Sequence, residues 1–291
     1  MREQGFCAIK QKNMENIRKP AVAGQFYPDN RDELTALLEN IYQEEKGTIN
    51  TPLAQHKLIG GIAPHAGYMF SAYQAVHLFD IIRNHPTQFD TFFIINPNHS
   101  GMGNQIAYDS NDYWSTPLGE VKVDNDFKQH LQLPVSDLEE KREHSGEVMV
   151  PMIQHFVNYP FTIAPVTLTM QNHQNAQKLA RAIYESNQVL KKNILIIASS
   201  DFSHFVTPRT GREKDQYVLD RIEKLDAPGI EQVIREKHIS VCGYGPIMTL
   251  IEYARLVSDN PVAQILKRGS SGDVIPSNEV VDYVSLLLYE R

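Results

Sequence analysis

The chain has 291 residues, 42% of them hydrophobic and 22% charged, with 28 basic against 35 acidic side chains and a formal net charge of −7. This balance describes a globular chain with a sizeable core and argues against a general affinity for nucleic acid or anionic membranes, both of which call for clustered basic charge. Two cysteines, Cys7 and Cys242, are too few and too distant to make a disulfide framework.

The opening MREQGFCAIKQKNMENIRKP lacks the apolar core of a signal peptide. No segment approaches the roughly 18 apolar residues of a membrane helix, so the expected location is the cytoplasm. Residues 1–17 read as a mobile tail and 18–291 as one α/β domain, because no Pro/Gly/Ser linker interrupts them. Arg31 to Glu45 sets Leu34, Leu37, Leu38 and Ile41 on one helical face, with Asp29 or Asn30 as cap. Leu58 to Ala63 then reads as a buried strand, and Ser71 to His85 as a helix through Ala75, Leu78, Phe79 and Ile82.

Thr91 to Asn96, Phe161 to Thr169 and Asn193 to Ala198 are further strands whose near-continuous apolar character suits burial on both faces. Between them, EHSGEVMVPMIQHF has Val148, Met149, Ile153 and Phe156 to anchor a helix. Pro246 to Val257 is another helix, and Glu279 to Tyr289 reads as a last strand. Strands alternating with helices imply a largely parallel or mixed central sheet flanked by helices.

Polar residues recur just beyond these strands: APHAGY after the first, NPNHSG after the second, SSDFSHF after NILIIA, and Cys242 before the Pro246 helix. Ligands gather beyond the carboxyl ends of strands in open α/β sheets, so His65, His99, Asp201, His204 and Cys242 are expected to share one cleft. Taken singly, each histidine would read as a satisfied polar residue and the cysteine as a small buried hydrophobe. Together, two imidazoles and a thiolate form a donor set suited to zinc, iron or copper, and they leave coordination positions open. His65, His99 and Cys242 are therefore the expected metal ligands.

Asp201 and His204 stand three residues apart, a spacing that in a turn lets a carboxylate orient an imidazole for acid–base work. The alternative is that Ser199, Ser200 and Asp201 cap a turn. His144 and Glu147 have the same spacing, and His144 reads either as a pocket acid or proton shuttle or as part of a solvated helix start. Cys242 as a nucleophile, with His204 as base and Asp201 as orienter, is a further arrangement. HSGE is not HExxH, and no Rossmann or Walker A pattern occurs.

These residues lie in blocks that resemble the Memo family, whose prokaryotic members are called AmmeMemoRadiSam system protein B. The blocks are RKPAVAGQFYP from Arg18, GIAPHAGYMFS from Gly61, NPNHSG from Asn96, STPLGEVKVD from Ser115, EHSGEVMVP from Glu143, SSDFSHF from Ser199 and CGYGPI from Cys242. The resemblance implies a fold similar to class III extradiol dioxygenases, with cysteine in place of their carboxylate ligand. It implies His65, His99 and Cys242 as metal residues, iron as the leading metal with copper or zinc as alternatives, and Asp201 and His204 close by. It further implies either a redox enzyme acting on a small substrate or a non-catalytic metal- or peptide-binding module that works with a radical SAM protein and an AMMECR1-type protein. Three positions depart from the family's usual pattern: Gly146, implying a larger or looser pocket; Phe205, implying loss of a hydroxyl; and Asp282, where glycine is usual.

Overall fold

The apolar segments pair so that their carboxyl ends stand side by side. A computed structural model describes residues 15–291; Cys7 and the tail through residue 14 lie outside the described residues. The elements begin with β1 (Ile17–Arg18), α1 (Arg31–Glu45), β2 (Lys57–Ala63), α2 (Tyr68–Arg83), β3 (Thr91–Pro97), β4 (Ile106–Tyr108), β5 (Tyr113–Thr116) and β6 (Gly119–Lys122). They continue with α3 (Asn125–His130), α4 (Met149–Phe156), β7 (Thr162–Leu168), α5 (His173–Leu190), β8 (Ile194–Ser199) and β9 (His204–Val206). The rest are α6 (Pro208–Glu223), α7 (Ala227–Lys237), α8 (Tyr244–Val257), β10 (Pro261–Ser270) and β11 (Val280–Glu290).

The main sheet has the order β10-β11-β2-β8-β3-β7-β4, with β9 joined to β11, while β1, β5 and β6 form a small second sheet. Strands β2, β8, β3 and β7 run parallel. Strands β4, β10 and β11 run antiparallel to their neighbours, so the sheet is mixed. Ala63 pairs with Ser199, Ile95 with Ala198 and Asn96 with Thr167, which brings the exits of the parallel strands to one rim.

Helices cover both faces. On β2, a Cβ at Gly60 would collide with Leu250 of α8, and one at Gly61 with Leu78 of α2. Successive strand residues point to opposite faces, so these two contacts put α8 and α2 on opposite sides of the sheet. The Gly60 position also presses on the Ile196 carbonyl of β8, so the missing side chains let both helices lie close. The buried apolar residues form one contiguous core.

Several local expectations shift. Helix α2 begins at Tyr68 rather than Ser71, and α8 at Tyr244 rather than Pro246. Asn30, not Asp29, caps α1 by accepting from the amides of Asp32 and Glu33. Helix α4 starts only at Met149, and the residues from Ser145 to Val148 form turns. Asp201 to Ser203 are not helical, and the chain becomes extended as β9 at His204. Strand β10 and helices α5 to α7 were not anticipated. Among the described residues, no helix is long and apolar enough to cross a membrane.

Candidate metal centre

His65 leaves β2 in a Pro64-His65-Ala66 turn and is only 1% exposed. Its backbone amide donates to Asp201 Oδ1 at 2.8 Å, which fixes the turn against the end of β8. Its Nδ1 lies 2.7 Å from Ser199 Oγ. That hydroxyl already donates its one proton to the Ser145 carbonyl at 2.6 Å, so it can only accept from the ring. His65 Nδ1 therefore carries the proton, and the lone pair of Nε2 faces the cleft, 3.1 Å from Cys242 Sγ. Burial first, and then the neighbouring imidazoles of His144 and His99, hold this ring neutral, well below the ordinary histidine range.

His99, after β3, is fixed in a parallel way by Glu143. One carboxylate oxygen accepts from the His99 amide at 2.7 Å, and the other lies 2.9 Å from Nδ1. Burial alone would lower the His99 pKa, but the hydrogen bond and charge of Glu143 outweigh it and raise it. Burial works against the Glu143 carboxylate, yet His99 and surrounding amides hold it far below the usual carboxylate range. With Nδ1 engaged, Nε2 is the nitrogen left to a ligand. A histidine whose second nitrogen is held by a hydroxyl or carboxylate is the arrangement found around bound metals.

Cys242 sits in the turn before α8. A Cβ at Gly243 would strike the Ser199 carbonyl oxygen, so glycine lets this turn press onto the end of β8. Sγ accepts from the Asp201 amide at 3.1 Å. Burial, followed by the charge of Asp201, pushes the thiol well up from its ordinary value. A thiol raised in this way is not a poised nucleophile, and its imidazole neighbour is His65 rather than His204, so the cysteine–His204–Asp201 hydrolytic arrangement is not formed.

The donor atoms of His65, His99 and Cys242 all lie within 4.8 Å of one another, an arrangement that can hold a metal ion. His99, Glu143 and His144 form a second such group. In that group, however, Glu143 Oε1 already receives the amides of His144 and Ser145 and the Ser145 hydroxyl as well as His99.

The other expected residues divide. Asp201 is in the cleft, with Oδ2 4.0 Å from His65 Nε2, and burial raises its pKa to about 6 against the opposing hydrogen bond from the His65 amide. It does not orient His204, whose Nδ1 instead lies 2.8 Å from the Ser240 carbonyl. The extended backbone of β9 replaces the helical turn that the spacing suggested, and this separates the two. His144 joins the cluster, with its ring centroid 4.6 Å from that of His99, 5.3 Å from that of His65 and 4.7 Å from that of Phe26.

Glu147 turns away from His144 and is buried, accepting from Arg18, from the amides of Ala21 and Val22 and from the Tyr27 hydroxyl. Gly146 does not loosen the cleft, because its missing side chain leaves space already filled by Asn96 Oδ1 and Trp114. Phe205 is 73% exposed and holds φ at 54°, a left-handed backbone uncommon for a bulky residue, at the rim beside His204. Ser199 and Glu143 are the positioning residues that sequence reasoning missed. From sequence Ser199 reads as a cap, and nothing distinguishes Glu143 from an ordinary polar neighbour of His144.

The family described as Memo-like protein matches residues 18–287. The chain belongs to the Memo family. A MEMO1 family protein of Methanopyrus kandleri is 33% identical over 279 residues, covering 93% of this chain and 98% of that one. One from Desulfurococcus amylolyticus is 36% identical over 283 residues, covering 94% and 99% respectively. A crystal structure of an uncharacterized Escherichia coli K12 protein aligns with a TM-score of 0.49 at 11% identity, covering 72% of this chain and 90% of that one.

Proposed function

We propose that this Memo-family protein binds a transition metal through His65, His99 and Cys242 and acts as a redox enzyme on a small substrate. The observation that carries this reading is the fixed tautomer of His65, whose unprotonated Nε2 points at the Cys242 sulfur beside His99. Iron is the leading metal by resemblance to dioxygenase-like sites, and copper and zinc suit the same donors. The bound ion would supply Lewis-acid or electron-transfer chemistry toward a substrate oxygen or dioxygen.

The chain's own residues supply the rest. Ser199 and Glu143 hold the two imidazoles, His144 and Phe26 wall the cleft, and Asp201 places a carboxyl oxygen whose pKa burial raises to about 6 near the His65 ring. His204 presents Nε2 at the same rim, since its Nδ1 is spent on the Ser240 carbonyl. Purification without oxygen followed by elemental analysis should give about one ion per chain. His65→Ala, His99→Ala and Cys242→Ala should each lose it while keeping the circular dichroism of the parent. Retention of metal by all three variants would overturn the assignment.

A second reading is favoured by exposed apolar side chains beside the same strand exits: Met69, Met102, Met170 and Phe205, all at least 46% exposed. In it the protein is a binding module for partners such as a radical SAM protein and an AMMECR1-type protein. Oxygen uptake by the iron-loaded protein with candidate substrates supports the enzyme. Partner binding that Phe205→Ser abolishes, with no turnover, supports the module.

A further inference from the structure

Behind the Asp201–His204 segment, α6, β10 and β11 enclose a polar cavity of about 430 Å³. Asp215 and Asp282 line it at 1% and 5% exposure, together with Arg212, Arg268, Asp273 and Tyr283. Asp215 spends Oδ1 on the amide and hydroxyl of Ser203, at 3.1 and 2.6 Å. The Oδ2 atoms of Asp215 and Asp282 are buried and receive no N–H or O–H donor from the described residues. The Asp282 carboxyl fits only because residue 211 is glycine, since a Cβ there would overlap Oδ2.

Two buried carboxyls facing one another cannot both ionise without a cation between them. Burial raises the pKa of each, and for Asp282 the charge of Asp215 adds to this, while Arg268 opposes it. Below about pH 7 the Asp282 carboxyl keeps its proton. Asp273 is engaged with the Ser270 amide at 2.7 Å, and Arg268 gives one N–H to Gln216 at 3.0 Å. The cavity thus joins an acidic floor to guanidinium groups in one enclosure. A simple cation there would meet the arginines, and a simple anion the aspartates. A ligand with both ends matches both parts of the lining.

We propose that this cavity is a binding site for a small zwitterion of the amino-acid or dipeptide class, with its ammonium on the Asp282 carboxyl and its carboxylate on Arg212 and Arg268. The ammonium favours the ionised Asp282 carboxylate, so the proton that Asp282 holds leaves to solvent on binding. The site is separate from the metal cleft, and the proposal does not depend on the metal reading.

The test is titration calorimetry of the full chain with L-alanine, β-alanine and glycylglycine, and with propionate and ethylamine as single-ended analogues. At least one zwitterion should give saturable heat, and its affinity should rise with pH as the pair titrates. Repeating the titration in buffers of different ionisation enthalpy should show proton release. Asp282→Asn and Arg268→Gln should each weaken binding by about tenfold or more. Arg212 is exposed, so Arg212→Gln provides a variant that leaves packing intact should Asp282→Asn not fold. No saturable heat from any of the three zwitterions at about 10 mM, a ceiling far weaker than millimolar affinity, overturns the proposal. So does equal binding of propionate or ethylamine, or unchanged affinity in the arginine variants.

Discussion

Ser199 decides which nitrogen of His65 faces the cleft, because its hydroxyl has one proton and the Ser145 carbonyl takes it. In Ser199→Ala the ring loses the acceptor that holds its proton on Nδ1, and metal affinity should fall by about 10–100-fold, read by competition with a coloured chelator. His99 behaves differently, since Glu143 strengthens its hold on a proton and that proton must leave when a metal binds. Metal affinity should therefore rise with pH through and above the ordinary histidine range. In Glu143→Gln the rise should move to lower pH while the plateau affinity falls. His65 and His99 were legible because each follows a strand rich in apolar residues; Cys242 instead stands in the turn between α7 and α8, so the strand-end reading does not hold for it. The supports of the two histidines were not legible, because a serine at a strand end reads equally well as a cap and nothing in the spacing of Glu143 shows that it reaches back to His99 across 44 residues. Asp201 and His204 show the limit of spacing arguments: a three-residue interval brings side chains together only where the backbone turns, and here it extends into β9.

At the level of elements, β2 is the piece on which the site's geometry rests. Its Gly60 lies against Leu250 and the Ile196 carbonyl, so the added methyl of Gly60→Ala meets main chain that cannot swing aside. The variant should lose about 1–3 kcal/mol in urea unfolding, and the displacement of β2 should also weaken metal binding at His65. Strands β2, β3, β7 and β8 could be read directly because burial on both faces leaves an unbroken apolar run. Strand β10 could not, because PVAQILKRGS is half-buried along most of its length and carries Lys267 and Arg268. Helix α6 was hidden by its internal Gly211 and its many charges, and its packing surface is evident only once Val218, Leu219 and Ile222 are seen buried.

Over the whole molecule, the ordered blocks from Arg18 to Ile247 conveyed the family and hence the general architecture, but not the buried charge that binds distant segments. Glu140 is one such group: 1% exposed, accepting from the Thr167 hydroxyl at 2.5 Å, its pKa pushed up to about 8 by burial against the opposing charge of Arg18. An unfolded chain releases this proton near the ordinary glutamate value of 4.5, so between 4.5 and about 8 the folded state binds more protons and stability falls as pH rises. Glu140→Gln removes this contribution. From about pH 5 to about pH 8, urea unfolding should show the parent losing on the order of 3 kcal/mol more than the variant. An equal loss in both would mean that Glu140 does not hold its proton.

The strand order also governs when the cleft can exist during synthesis. β2 is flanked by β8 on one side and on the other by β11, which comes last among the described strands in chain order. Until Val280–Glu290 has left the ribosome, the strand that carries His65 shows a bare edge of amides and carbonyls, open to pairing with any other nascent chain. A polypeptide stalled before that point would possess every residue of the cleft and still be a template for aggregation.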